Sequence, residues 1–387
     1  MMRPLLLSLI LFIALPIKAA YIDEVANNFE IYMEKTLNQW GVPGAAVVIV
    51  QGDQTILMRG FGVRQVGRPE RVNSQTVFRL ASLSKGLSAG LAATYVADGN
   101  LDWNDRVTEY LPDFKLKDPY QTQQLSVKHI LSHSTGLPQH TYTHLIENNT
   151  PYQTAVDRLS QVPLKCNVGT CHAYQNVSYS LISDILTTQS GQSFSRMMDE
   201  RIFTPLNMNY ASTTYEEFMA SHNRASCHVK GKNGFVACTV TPNYYRVAPA
   251  GGINASASDM AQWLRAQMGM YPEVLPPKLL KEMHTPVVKT NEVSYNPNAT
   301  NWRQQRIRSS YYGLGWRIYD YAGTKIVFHG GMLKGFQNVI AFAPDRKVGI
   351  AILTNSSSPV AGLLCARFFD TYLKLPEKDW SSMALGR

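Results

Sequence analysis

The strand-like segments of this chain lie at its two ends. Two short apolar runs, Ala45 to Gln51 and Thr55 to Gly60, flank the turn pair Gly52-Asp53 and predict a hairpin. Four more runs, Leu314 to Tyr319, Lys325 to Phe328, Gln337 to Phe342 and Val348 to Leu353, fill the C-terminal part, with Pro344-Asp345-Arg346 as a tight turn between the last two. From Gly99 to about Val240 the periodicity is mostly helical, over Ser126 to Ser132, Thr154 to Ser160, Ser178 to Thr188 and Phe194 to Arg201. Helical patterns also cover Ile22 to Trp40, closed by Gly41-Val42-Pro43-Gly44, and the tail from about Ala361 to Tyr372. Strands at both ends, with helices outside and between them, predict one antiparallel sheet built from the two ends of the chain and a helical insertion between its halves. The expected fold class is therefore α/β in the α+β sense: a five-stranded or larger antiparallel sheet flanked by helices, plus an inserted all-helical domain. The boundaries that follow are a sheet domain made of 21–81 and 245–387 and a helical domain over 82–244.

Residues 1–20 read as a signal peptide: an early Arg3, an apolar run from Leu5 to Leu15, and the small-residue ending Pro16-Ile17-Lys18-Ala19-Ala20. The apolar run is too short to span a bilayer, and no later stretch is long enough, which predicts an exported chain with no stable membrane insertion. The net charge of +9 becomes +7 without Arg3 and Lys18. It is scattered, with no basic run of the kind that marks nucleic-acid or membrane-surface binding. In an exported chain Cys166 with Cys171 and Cys227 with Cys238 read as two local disulfides, although four cysteines allow three pairings; Cys365 falls in an apolar helical pattern and reads as a buried free thiol. Asn-x-Ser/Thr triplets occur at Asn148, Asn176, Asn254, Asn298 and Asn355, and a glycan at Asn176 would disrupt the site developed below, which favours a bacterial periplasm.

Chemistry enters with Phe78-Arg79-Leu80-Ala81-Ser82-Leu83-Ser84-Lys85, which runs straight into the Ala- and Leu-rich stretch Gly86 to Asp98. A Ser and a Lys three apart at the start of a helix share one face, so the amine can meet the hydroxyl. Ser82 becomes a nucleophile if Lys85 is kept partly neutral and takes its proton. Three further stretches stand out: Tyr174-Gln175-Asn176, the His129 to Gln139 segment, and His329-Gly330-Gly331. His129 and His133 stand four apart, as do His140 and His144. That spacing can face a metal, but no Glu follows the first His and no third ligand is evident, so helix packing and loop hydrogen bonds are the better account.

In order and spacing these stretches resemble the penicillin-binding-protein and class C β-lactamase family of serine hydrolases. Pro249-Ala250-Gly251-Gly252 and Tyr312-Gly313-Leu314-Gly315-Trp316 add to the likeness, which spans roughly residues 27 to 375. The resemblance implies a five-stranded antiparallel sheet with helices on both faces, joined to a helical domain, with the active site between them. By the same resemblance Ser82 is the acylated nucleophile, Lys85 its proton acceptor or relay, Tyr174 the partner base and Asn176 a donor to the substrate. His329-Gly330-Gly331 stands where the family has Lys-Thr-Gly on its edge strand, and the oxyanion hole falls to the backbone N–H groups of Ser82 and Met332. Two departures stand out: Gln175 replaces a small residue, and His329 removes a permanent cation. With no cofactor and no metal implied, the expected activity is acyl transfer to water from esters or small D-amino-acid peptides, with β-lactams or peptidoglycan-derived peptides as the alternative. Because an imidazole has an ordinary pKa of about 6.5, activity on a carboxylate-bearing substrate is expected to rise towards pH 6. A catalytically idle cell-wall-binding module would have no need of Ser82, Lys85 and Tyr174 together.

Overall fold

The run Gly44–Gln51 shows no alternation of apolar and polar residues, and its place in the fold explains why. The computed structural model describes the backbone of residues 6–386 and the side chains from residue 20. In chain order the elements that matter here begin with α1 (Leu6–Trp40), β1 (Gly44–Gln51), β2 (Gln54–Gly62), β3 (Phe78–Arg79), α2 (Ser84–Ala97), α3 (Val127–Leu131) and α4 (Val177–Ser190). They continue with β4 (His228–Gly231), β5 (Gly234–Ala237), β6 (Asn254–Ala255), α5 (Ala257–Gln267), β7 (Val288–Lys289), α6 (Trp302–Arg306), β8 (Ile307–Tyr312), β9 (Arg317–Tyr321) and β10 (Thr324–Leu333). Last come β11 (Phe336–Ala343), β12 (Val348–Thr354), α7 (Val360–Tyr372) and α8 (Trp380–Ala384). The main sheet has eight strands in the order β2-β1-β12-β11-β10-β9-β8-β7, so β1 from one chain end lies antiparallel beside β12 from the other.

Side-chain parity along these strands divides the core in two. Ala45, Val47 and Ile49 of β1 join Ile350 and Ile352 of β12 in a cluster under α1 and α7, where Phe29 meets Phe368 edge to face at 5.7 Å. Ala46, Val48 and Val50, with Ala351 and Leu353, belong to the cluster on the other face, under α2, α5 and the helical segments. A strand covered on both faces has no solvent side, so it reads as a continuous apolar run. Glycines seat α2 on that second face. A Cβ at Gly86 would stand 2.5 Å from the Trp316 ring, and one at Gly90 2.5 Å from Trp263, so each indole lies directly against the helix backbone. Truncating a tryptophan buried in this way typically costs about 3–5 kcal/mol.

The sheet has eight strands against six expected runs because β7 and β8 extend it. β9 starts at Arg317 instead of Leu314, since Gly315 takes φ +78° in the turn before it. β10 runs past Phe328 to Leu333, and the β4–β5 hairpin interrupts the expected helical block. Pairing of β10 with β9 ends at Phe328–Arg317, while pairing with β11 continues to Leu333–Phe336. The stretch from His329 to Leu333 therefore has one unpaired strand edge. Both expected disulfides are present, Cys166–Cys171 and Cys227–Cys238, and Cys365 is a buried free thiol. Of the expected signal peptide, residues 1–5 lie outside the described residues, as do the side chains of 6–19. Among the described residues no helix is long and apolar enough to cross a membrane.

Candidate active site

β3 ends at Arg79, and the chain turns through Ala81, a non-glycine residue in the left-handed region at φ +54°. Such a residue costs roughly 1–3 kcal/mol and persists only where its surroundings fix it. Ser84 does the fixing: its Oγ donates to Ala81 O (2.6 Å) and accepts from Ile253 N–H (3.0 Å), while Leu80 N–H donates to Ile253 O (2.9 Å). Ser84 is wholly buried by this task, and Ser82, half-buried in the short 3₁₀ turn that enters α2, is the serine presented to the cleft.

One helical turn on, Lys85 is completely buried. Its Nζ donates to Asn176 Oδ1 (2.8 Å) and to Ala250 O (2.7 Å), and stands 3.4 Å from Ser82 Oγ. The ring of Tyr174 lies 4.5 Å from it and that of Tyr179 5.4 Å. None of the ion pairs among the described residues uses Lys85. Burial, helped by the positive field of Arg317, holds its amine well below the usual lysine range, which favours the neutral form. Asn176 occupies the N-cap position of α4 but makes no side-chain cap; its carboxamide turns inward to Lys85. Burial raises the Tyr174 phenol to about 12, opposed by the Arg317 charge and a hydrogen bond with Ser82.

The loop that carries Tyr174 is pinned to the His129–Gln139 segment. Gln175 N–H donates to His133 Nδ1 (3.2 Å), and the Gln175 side-chain amide reaches the Pro138 carbonyl. His133 packs its ring 4.3 Å from Tyr174. His129 instead pairs with Ser126 at the start of α3, with Nδ1 accepting from Ser126 N–H at 3.1 Å. The two histidines thus serve separate loop contacts, and among the described residues no three His, Cys, Asp or Glu side chains are grouped to hold a metal.

Across the cleft stands the unpaired edge of β10. A Cβ at Gly331 would fall 2.3 Å from Leu80 O, so only glycine lets the strand come this close to the Ser82 turn. Met332, next along, is 70% exposed at the mouth. His329 is fully buried: its Nε2 and the Tyr312 hydroxyl share a 2.8 Å hydrogen bond, and its Nδ1 donates to Gly330 O (2.8 Å). Burial, then the nearby Arg317 and Lys85 charges, push its pKa well below the ordinary value. The expectation that His329 gains charge towards pH 6 is therefore corrected, because burial and the two neighbouring cations disfavour its protonated form.

All eight residues singled out in the sequence, Ser82, Lys85, Tyr174, Asn176, His329, Gly330, Gly331 and Met332, come to this one cleft. The beta-lactamase family model matches residues 25–368. The chain belongs to the beta-lactamase family. It is accordingly a serine hydrolase. Among its relatives are the Unguisins hydrolase ungD' of Aspergillus campestris, 26% identical over 93% of this chain and 68% of that one, and Protein flp of Staphylococcus aureus, 23% identical over 87% and 64%. The chain spans about two thirds of the length of these relatives. A similar solved structure is the octameric penicillin-binding protein homologue from Pyrococcus abyssi, with TM-score 0.78 and 22% identity over 90% of this chain and 77% of that one.

Within this beta-lactamase-family cleft, two residues lacked any motif. Arg317, at the first position of β9, holds its guanidinium 5.1 Å from the Tyr174 ring and 3.4 Å from His329 Nε2. Glu292 grips it from both carboxylate oxygens, at 2.7 and 3.1 Å. The permanent cation absent at position 329 thus stands twelve residues upstream, already paired. Nothing in the sequence joins Arg317 to Glu292; the β7–β8–β9 fold-back does.

Proposed function

We propose that this protein is an exported serine hydrolase that works through an acyl-enzyme on Ser82, with esters or small D-amino-acid peptides as substrates. The observation that carries the reading is a buried lysine with no carboxylate partner, 3.4 Å from a cleft-facing serine hydroxyl. Neutral Lys85 accepts the Ser82 proton, directly or through the Tyr174 hydroxyl, as Oγ bonds to the substrate carbonyl carbon. The resulting oxyanion is taken by the backbone N–H groups of Ser82 and Met332. The same proton passes to the leaving alcohol or amine as its bond to the carbonyl carbon breaks. Water then attacks the acyl-enzyme, giving its proton to the same base, and Ser82 is regenerated with release of the acid.

Substrate choice follows from charge. Burial disfavours the charged form of His329 and Arg317 is held by Glu292, so a carboxylate beside Tyr174 must compete for a cation that is already paired, and neutral acyl groups are favoured. A second reading, a class C-like β-lactamase or penicillin-binding D,D-peptidase, rests on Arg317 itself, which lies beside Tyr174 and would serve an anionic ligand if it loosened from Glu292. Two disulfides fit an oxidising compartment, which supports export to a periplasm.

Intact-mass measurement after a fluorophosphonate probe, and separately after a penicillin, tests both readings. The expected outcome is a rapid phosphonyl adduct that Ser82→Ala abolishes in a folded protein, with slow or absent penicilloyl formation. An adduct that persists in Ser82→Ala removes the nucleophile assignment, and fast turnover of the penicillin selects the second reading.

A further inference from the structure

Behind the free edge of β10, on the sheet face covered by α1 and α7, lies a groove of about 700 Å³. That size is typical of a small-molecule site. Its apolar wall is made of Trp302 from α6, Phe328 from β10, Leu363 from α7, and Trp380 and Met383 from α8. It borders the candidate active site, because Gly330, Gly331, Met332 and Arg317 of that site are among its lining residues.

Three observations give the groove an occupant. Position 330, which carries Thr in the resembled motif, is glycine here although space did not demand it: a Cβ would meet nothing closer than Phe328 at 3.6 Å. A side chain would point along the Phe328 face, over the groove mouth, and its absence leaves the strand low at that edge. Met332 alternates to that same face and is the most exposed large apolar side chain at the site, a flexible surface with no protein partner at the lip. The third observation is α8, which lies beyond the 25–368 span shared with the family and is firmly held against the groove. Trp380 Nε1 donates to Asp370 Oδ2 (2.9 Å), the carboxylate that also pairs with Arg306 (2.9 Å). Trp40 Nε1 donates to Ser381 Oγ (3.0 Å).

We infer that this groove is the specificity subsite of the enzyme and takes a bulky apolar group of the substrate, an aryl or branched alkyl, that passes over Gly330 from the scissile carbonyl. The C-terminal helix α8 is its outer wall. Arg303 limits its depth: the guanidinium lies 4.9 Å from the Trp302 ring and 5.2 Å from that of Phe328, and donates to Tyr319 Oη (3.0 Å). The inference rests on Ser82 chemistry in the adjoining cleft, and the test separates the two.

Two ester series read it: p-nitrophenyl acetate against p-nitrophenyl 4-phenylbutanoate for the acyl side, and phenyl acetate against 2-naphthyl acetate for the leaving side. The wild type should prefer the bulky member of one series in kcat/KM. Leu363→Trp and Met383→Trp, which fill the groove away from the reacting groups, should each lower kcat/KM for that member at least about tenfold and leave the small ester within twofold. Equal losses on both members in both variants, or no preference for bulk in either series, overturn the inference. If Ser82 is not the nucleophile the acetate esters fail to label it, and the groove is then read in Ser82→Ala by quenching of tryptophan fluorescence with 4-phenylbutanoate and 2-naphthol. Saturable quenching by one of them, lost in Leu363→Trp, sustains the subsite, and no quenching by either refutes it.

Discussion

Arg317 adds to burial in setting the charge preference of the groups around Ser82 without standing in any recognisable motif. Its positive field disfavours the Lys85 ammonium and opposes the rise of the Tyr174 phenol, so it favours neutral amine and ionisable phenol at once. If neutral Lys85 is the base, acylation rises with pH as the ammonium loses its proton, and levels off below the ordinary lysine value of about 10.4. Removing Arg317 takes away a term that lowers the amine, so the limb must move to higher pH. In Arg317→Gln, kcat/KM for a neutral ester should show that move, and on the rising limb each pH unit of it lowers the neutral amine about tenfold. A limb that stays put or moves down shows that the charge does not act through Lys85. The sequence could show the serine and lysine because one helical turn joins them. Arg317 and Glu292, 25 positions apart, meet only through the bend of β8 into β9, and no local pattern records such a meeting. Burial of His329 was equally hidden, since the Tyr312 contact and the β10–β11 pairing that enclose it join separate stretches of chain.

At the scale of elements, the seat of α2 decides where Ser82 and Lys85 stand. Gly86 is a poor helix residue, and Gly86→Ala would by propensity alone gain about 1 kcal/mol. The new Cβ would, however, lie 2.5 Å from Trp316, in a ring that is itself wholly buried. Overpacking of that kind costs about 1–3 kcal/mol, so the clash should win and the variant should melt earlier and acylate more slowly. Trp316→Phe, itself destabilising, should restore part of the loss in the double variant, and strictly additive effects in that cycle would count against direct contact. The helices and strands that read well in the sequence are those with one environment along their length. β1 and β12 are buried on both faces and read as apolar runs, whereas β8, Ile307-Arg308-Ser309-Ser310-Tyr311-Tyr312, mixes polar and aromatic residues because Ser310 pairs with Thr290 and Tyr312 reaches His329. The β4–β5 hairpin, four residues a strand and largely solvent-facing, left equally little periodicity to find.

Among the described residues four histidines are buried, His133, His228, His284 and His329, and acid should unfold the protein through them; three carry the strongest shifts. His133, His284 and His329 are at most 3% exposed. Burial lowers all three, His284 to about 3, where its Nε2 shares a 2.8 Å hydrogen bond with Gln267 Oε1. Each unfolded imidazole takes up a proton near pH 6.5, while the folded one resists until far lower pH. Between those two values the unfolded chain binds more protons, so stability is complete above about pH 6.5 and is lost as pH falls. At pH 5 His284 alone would cost about 2 kcal/mol, a sizeable share of the stability of an ordinary domain, and His133 and His329 act in the same direction. Asp184 and Asp259 act in the opposite sense, since burial raises both carboxyls, Asp184 to about 6, and the folded state gains by protonating them first, but the buried histidines outnumber them. Denaturant titrations at pH 7.5, 6.0 and 5.0 should therefore show a midpoint that falls steadily. Replacing His284 by Gln, which cannot charge, should flatten that slope even if it weakens the protein at pH 7.5. A midpoint that holds level or climbs from pH 7.5 to 5.0 would mean that the buried imidazoles find water or a counter-charge before the fold opens.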